Sequence, residues 1–179
     1  HFQAGLDYSL YQNGLFRTYD YPPLFNSANL SIRSFVNKGQ EKVIGSRDGL
    51  FYINEATGVV KSFVKPVLTS DLILTICFYQ GEYYIGTYGG GMMVLNPETL
   101  SLKYFAQGDT ELFQKGHIFC VKPDAKGNLW IGTSQGLFSY NGQTKQIKSF
   151  TSANSQLPEG NVYEVSFDST GKGWIATET

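Results

Sequence analysis

Charge is scarce in this chain. Its 179 residues hold 14 Lys and Arg against 15 Asp and Glu, a net charge of −1. Neither a polyanion such as nucleic acid nor an anionic membrane surface has a bulk electrostatic reason to bind, and neutral, polar partners are the better match. Histidine is scarcer still. With only His1 and His117 present, no His-rich metal spacing can form. Two cysteines, Cys77 and Cys120, cannot build a disulfide framework and read as buried thiols on strands. No apolar run approaches the ~18 residues that a membrane-crossing helix needs, and the longest, around Leu72 to Tyr79, reads as one strand. The first residue is His1, not Met, and no signal pattern follows, which reads as a segment of something longer.

What the chain does have is 20 glycines, 12 tyrosines and 13 phenylalanines, with 41% hydrophobic residues overall. Glycine makes turns and aromatics favour strands, so this is the composition of a turn-rich all-β protein with enough apolar material for a core.

The decisive signal is internal repetition. Asn128-Leu129-Trp130-Ile131-Gly132-Thr133 is echoed by Tyr83-Tyr84-Ile85-Gly86-Thr87, by Lys42-Val43-Ile44-Gly45-Ser46 and by Gly173-Trp174-Ile175-Ala176-Thr177. A stricter pattern follows each. Gly49, Gly91 and Gly136 lead, at identical offsets, to Asn54, Asn96 and Asn141, then Thr57, Thr99 and Thr144, and finally Phe63, Phe105 and Phe150. Lys61, Lys103 and Lys148 share another offset, and Gly5, Arg17 and Tyr19 continue the pattern towards the N-terminus.

One unit resolves into four short strands. Ile118-Phe119-Cys120-Val121 leads through the turn Pro123 to Asn128 into Leu129–Thr133. Leu137–Tyr140 and Gln146–Phe150 follow after further Gly- and Asn-bearing turns. Four strands in roughly 40–45 residues make a β-propeller blade. Gly or Pro interrupts every stretch before a helix could gain three turns. Within this frame the Gly after the second strand serves a positive φ or a close backbone approach, and the Trp or Tyr before Ile packs blade on blade. The repeated Lys marks an outermost strand, where charge discourages edge pairing. The expected layout is a half blade over 1–19, blades at about 30–63, 72–105 and 117–150, and a leading half over 161–179. The chain is then a slice of a larger propeller or, if the halves pair, a closed four-bladed ring; the slice is preferred.

The run Gly127-Asn128-Leu129-Trp130-Ile131-Gly132-Thr133, followed by Gly136-Leu137-Phe138-Ser139-Tyr140-Asn141, resembles the two-component regulator propeller repeat. The other copies depart from it: Val43 and Tyr84 replace the Trp, and Ala176 replaces the Gly. The resemblance implies the periplasmic sensor region of a hybrid two-component regulator of the kind found in Bacteroidetes, on the outer side of an inner-membrane protein. The implied ligand is an oligosaccharide and the implied output is transcription of glycan-utilisation genes. The expected partners are that ligand and the remaining blades of a longer propeller. A protein-interaction or homodimerising propeller module is the alternative.

No enzyme motif stands out. There is no Gly-x-Ser-x-Gly elbow, and Ser169 to Gly173 echoes a phosphate loop only by occupying a hairpin turn. Thr87 to Gly91 is Gly-rich without a following helix. Asp124 lacks the companion carboxylates of a calcium loop, and no charge beside Cys77 or Cys120 in sequence would activate a thiol. Catalytic residues, metals and cofactors are therefore expected to be absent from this region, as is contact with nucleic acid or membrane. The turns between second and third strands, together with the linkers 20–31, 64–71, 106–117 and 151–161, should share one face. That face carries Tyr21 and Phe25 and the candidate ligand-binding residues Arg47, Asp48, Tyr88, Phe113, His117, Gln135 and Asn154. Aromatic faces for sugar C–H surfaces and polar groups for hydroxyls are what a carbohydrate site requires.

Overall fold

A computed structural model describes residues 31–105 and 110–178. The N-terminal half blade, Tyr21 and Phe25 lie outside the described residues. The rest is built from antiparallel meanders. Strands β1 (Ile32–Lys38), β2 (Glu41–Ser46), β3 (Leu50–Asn54) and β4 (Val59–Phe63) form one sheet in chain order. A second contains β5 (Ile73–Tyr79), β6 (Glu82–Thr87), β7 (Met92–Asn96) and β8 (Ser101–Tyr104). A third contains β9 (Ile118–Pro123), β10 (Asn128–Thr133), β11 (Gly136–Asn141) and β12 (Gln146–Phe150). A two-stranded sheet, β13 (Val162–Phe167) with β14 (Gly173–Thr177), follows. Each sheet packs on the next through its innermost strand, β1 beside β5, β5 beside β9, β9 beside β13. These are propeller blades, and among the described residues they form an open arc and not a closed ring. One helix, α1 (Thr110–Lys115), departs from the expected all-coil linkers. It is short enough to fit between the Gly-bearing segments, with Leu112 and Phe113 plugged into the core.

The repeated residues have separate structural tasks. Ser46, Thr87 and Thr133 donate through their hydroxyls to the carbonyls of Gly49, Gly91 and Gly136 at 3.1, 2.9 and 2.9 Å, closing the turn into the third strand. Those three glycines have φ of 126°, 70° and 108°, which L side chains rarely adopt. Asn54, Asn96 and Asn141 each accept two backbone N–H groups of the following turn, ending on Thr57, Thr99 and Thr144. This Asx geometry carries the next residue, Gly58, Leu100 or Lys145, into positive φ. Lys61, Lys103 and Lys148 lie exposed on the outermost strands, Lys103 paired with Glu82 at 2.8 Å.

The glycine inside each second strand answers to a different constraint. A Cβ on Gly86 would stand 2.7 Å from Ile118 Cγ2, and one on Gly132 would stand 2.6 Å from the carbonyl oxygen of Val162. Gly45 meets Ile73 in the same way. In every case the first residue of the next blade's inner strand is among the atoms in the way, joined at Gly86 by Thr75 and at Gly132 by Cys120 of the glycine's own blade. The glycine is the seat on which the neighbouring blade rests.

Apolar side chains fill the two inter-blade spaces. Val43, Leu50, Tyr52 and Phe63 of the first sheet meet Tyr83, Ile85, Met93 and Leu95 of the second. Tyr84, Met92, Val94 and Phe105 meet Leu129, Ile131, Phe138 and Tyr140 of the third. Polar clasps fix the register. Glu41 accepts from both Tyr52 and Tyr83 at 2.7 Å, joining first sheet to second. Burial, then this carboxylate, pushes the Tyr83 phenol far up, so it stays a donor. The Tyr79 hydroxyl donates to Gly127 O at 2.7 Å and accepts from Gly142 N at 2.9 Å, joining second to third.

Asp124 organises the first hairpin of the third blade. It accepts from the backbone of Lys126 and Asn128, from the Asn128 amide and from Trp130 Nε1 at 2.9 Å. Asp168 occupies the equivalent turn and binds Thr170 and the backbone of Lys172.

Two outcomes follow. Gly132→Ala should lower stability by about 1–3 kcal/mol through overpacking, read as a lower urea midpoint, because Val162 O, one of the two nearest atoms in the way, is backbone. Acid should act through the aspartates. Burial alone would raise Asp124, but its hydrogen bonds from Asn128 and Trp130 outweigh this and hold it low, and Asp168 is held low chiefly by Thr170. A depressed folded value means that stability is fully present above the unfolded-chain value of about 3.9 and is lost as pH falls through the folded one. An acid titration of tertiary signal should therefore show Asp124→Asn losing less stability than wild type below about pH 4.

Candidate functional site

The same rung recurs at one end of all four blades. The first residue of each second-to-third-strand turn donates its N–H to the carbonyl just before that blade's inner strand. The pairs are Arg47 to Ser31 (3.1 Å), Tyr88 to Leu72 (3.0 Å), Ser134 to His117 (3.2 Å) and Glu178 to Asn161 (3.1 Å). Turns and linkers are thus tied into one face. Just beyond each rung the inner strand carries a β-bulge, falling between Ile32 and Ser34, Ile73 and Thr75, Ile118 and Cys120, and Val162 and Glu164. A bulge leaves one residue outside the ladder and re-aims it. The residues skipped are Arg33, Leu74, Phe119 and Tyr163.

Rungs and bulges together assemble an aromatic shelf over the second, third and fourth blades. Tyr88 stacks on His117 with ring centroids 4.0 Å apart and planes 24° apart. His117 lies 6.1 Å from Phe119, which lies 5.0 Å from Tyr163. Tyr88 is 50% exposed and Tyr163 42% exposed, so both ends of the shelf are open. His117 Nδ1 is buried with no hydrogen-bond partner, against the backbone of Gly89. Stability gives no reason for an imidazole there, since an apolar ring would avoid the orphaned nitrogen.

Of the seven residues expected on this face, the structure brings Tyr88 and His117 into direct contact. Arg47 and Asp48 are exposed in the first-blade turn, with Asp48 N bonded to Ser46 Oγ at 2.9 Å. Gln135 is exposed in the third-blade turn, beside the linker residues Ser152 and Ala153. Asn154 is exposed, but its amide is spent on the linker, accepting from Thr151 N and donating to Ser149 O. Phe113 does not belong to the face. Helix α1 turns it inward between Phe105 and Phe138, where it is fully buried. Phe119 and Tyr163 were missed because a short apolar strand read by alternation does not reveal a bulge.

The remaining chemistry is structural. Burial pushes the thiols of Cys77 and Cys120 up to about 11, aided at Cys120 by Glu164, which leaves them protonated and unreactive. Among the described residues no group of three His, Cys, Asp or Glu could hold a metal ion. A cavity of about 520 Å³ lies between Trp130, Leu137 and Phe150 on one side and Leu157 and Ile175 on the other. One interface earlier, the corresponding space is filled by Phe138 and Tyr140. It is a blade-packing gap, not a ligand pocket.

A family model of the two-component regulator propeller matches residues 113–135, which hold the end of α1, β9 and β10. The chain carries the two-component regulator propeller repeat. Solved structures agree. The extracellular domain of the hybrid two-component system BT3049 from B. thetaiotaomicron is 28% identical, with a TM-score of 0.67 over 98% of this chain and 23% of that one. That of BT4673 from the same organism is 20% identical, with a TM-score of 0.68 over 83% of this chain and 20% of that one. PorZ, a surface component of the type-IX secretion system of Porphyromonas gingivalis, is 15% identical, with a TM-score of 0.71 over 95% and 27%. The latter two likenesses show the fold alone. The repeat-bearing chain thus spans about a quarter of the length of these proteins. No curated protein matches it. No helix among the described residues is long and apolar enough to cross a membrane.

Core and face separate under mutation. Phe113→Ala should cost about 3–5 kcal/mol, as for a fully buried ring. Tyr88→Ala should stay within about 1 kcal/mol of wild type because half the ring is already in water. Urea titrations of both variants check the assignment.

Proposed function

We propose that this chain is the ligand-sensing extracytoplasmic propeller region of a hybrid two-component regulator, that it detects oligosaccharides, and that its parent protein controls glycan-utilisation genes. The observation that carries the reading is the shelf Tyr88–His117–Phe119–Tyr163, set across three consecutive blades with both ends exposed. Flat aromatic faces take the C–H surfaces of pyranose rings. A shelf spanning several blades suits an extended chain of sugars better than a single ring. The 28%-identical neighbour being an extracellular domain of a hybrid two-component system supports the outward-facing placement. The region binds and does no chemistry in this reading, with the enzymatic output lying elsewhere in the parent protein.

The alternative is a protein-interaction or dimerisation module. The surface it would use is β14, where Trp174, 60% exposed, holds the position at which Trp130 of the third blade meets Phe167 of the next.

Calorimetry against a panel of oligosaccharides should give saturable binding that Tyr163→Ala weakens by about tenfold, equivalent to one lost stacking contact of roughly 1–1.5 kcal/mol, with thermal stability unchanged. Absence of binding to every saccharide, together with concentration-dependent dimerisation in light scattering that Trp174→Ser abolishes, favours the alternative.

A further inference from the structure

We infer that the ligand is anionic, an oligosaccharide bearing carboxylate or sulfate groups, and that Arg33 and Arg47 read its charge. This rests on the sugar-sensing reading above and specifies the class of sugar.

Two series of residues border the mouth of the arc, one from each blade in turn. The bulge series runs Arg33, Leu74, Phe119, Tyr163. The rung series runs Arg47, Tyr88, Ser134, Glu178. Both series place arginine in the first blade and nowhere else. The two arginines belong to one end of that blade: the Arg47 N–H bonds to Ser31 O, two residues before Arg33 and at the root of the same strand. Both side chains are exposed, and neither takes part in an ion pair among the described residues. The first and second blades are adjacent here, since Ser34 Oγ accepts the N–H of Ile76 at 2.9 Å. The shelf, which begins at Tyr88 in the second blade, therefore starts one blade away from the arginines.

The nearby carboxylates do not cancel this charge. Asp71 is engaged with the Lys65 N–H at 2.7 Å, and Glu164 pairs with Lys122 at 3.4 Å. Glu178 occupies the fourth blade, at the far end of the shelf. At the first-blade end and the linker after it, Arg33, Arg47 and Lys65 stand against Asp48 and Asp71, an excess of one positive charge among the described residues. The mouth is thus polarised, cationic at one end and aromatic along the rest. In a chain of net charge −1, two arginines with no ion pair among the described residues, at one edge of an aromatic shelf, match a ligand that is flat and apolar on its ring faces and anionic on its substituents. The guanidinium fork suits carboxylate and sulfate oxygens, both of which accept two parallel hydrogen bonds.

The test is calorimetry on the whole chain with three probes: tri-galacturonic acid, its fully methyl-esterified counterpart, and a sulfated trisaccharide of neutral sugars. Binding of either anionic probe about tenfold to a hundredfold more tightly than the ester, with the preference reduced in high salt and abolished in Arg33→Gln/Arg47→Gln, supports the inference. The acid and sulfate arms then distinguish the two sources of charge. Near-ultraviolet circular dichroism of the double variant confirms that it remains folded, as expected for exposed residues. If the ester binds as well as the acid, or the double variant keeps the preference, the inference is overturned while the sugar-sensing reading stands. If no saccharide binds, charged or neutral, both are overturned.

Discussion

A bare backbone position in the second strand of each blade is the constraint from which the architecture follows. The next blade's inner strand begins with Ile73, Ile118 or Val162, and that side chain or its backbone presses onto Gly45, Gly86 or Gly132. Only with hydrogen at that position do the inner strands come close enough for the apolar faces behind them to interdigitate. The tyrosine clasps then reach across, Tyr83 to Glu41 and Tyr79 to the turns of the third blade. A single blade has too small a core to stand alone, so stability resides mostly in these interfaces. The fourth copy substitutes Ala176 for the glycine, so whatever packs against β14 meets a methyl group where the other seats are open.

Scaffold and proposed recognition surface draw on different residues of the same repeat. The Ser/Thr hydroxyls, the Asn side chains and the positive-φ glycines close turns and are nearly identical from unit to unit. The mouth residues differ in every unit, Arg, Leu, Phe and Tyr in one series and Arg, Tyr, Ser and Glu in the other. Residues that hold the fold repeat because each blade solves the same geometric problem. Residues that face a ligand need not repeat, because the ligand lacks the propeller's symmetry.

This division also decides what could be read in the sequence. The propeller class was legible because equal offsets among Gly, Asn, Thr, Lys and Phe are imposed by turns that recur. The face carrying the turns and linkers was legible for the same reason, and Tyr88 and His117 could be placed on it. Helix α1 was not, because its six residues are too few to generate periodicity, and with it went the burial of Phe113. The bulges were also invisible: no residue type demands one, and skipping Phe119 or Tyr163 leaves the alternation of the strand intact to the eye. Asn154 illustrates a further limit, since an exposed polar side chain in a loop gives no sign that its hydrogen bonds are already spent locally.

The bulge has one more implication. A residue excluded from the ladder belongs to neither packing layer, so its identity is not tied to the core on either side. Exchanging Arg33, Leu74, Phe119 or Tyr163 would alter the mouth one blade at a time while leaving the seats, clasps and turns untouched. Tandem duplication followed by drift at this single position could therefore generate receptors of new selectivity from an unchanged frame, each unit contributing one independently variable letter to the surface that meets the outside world.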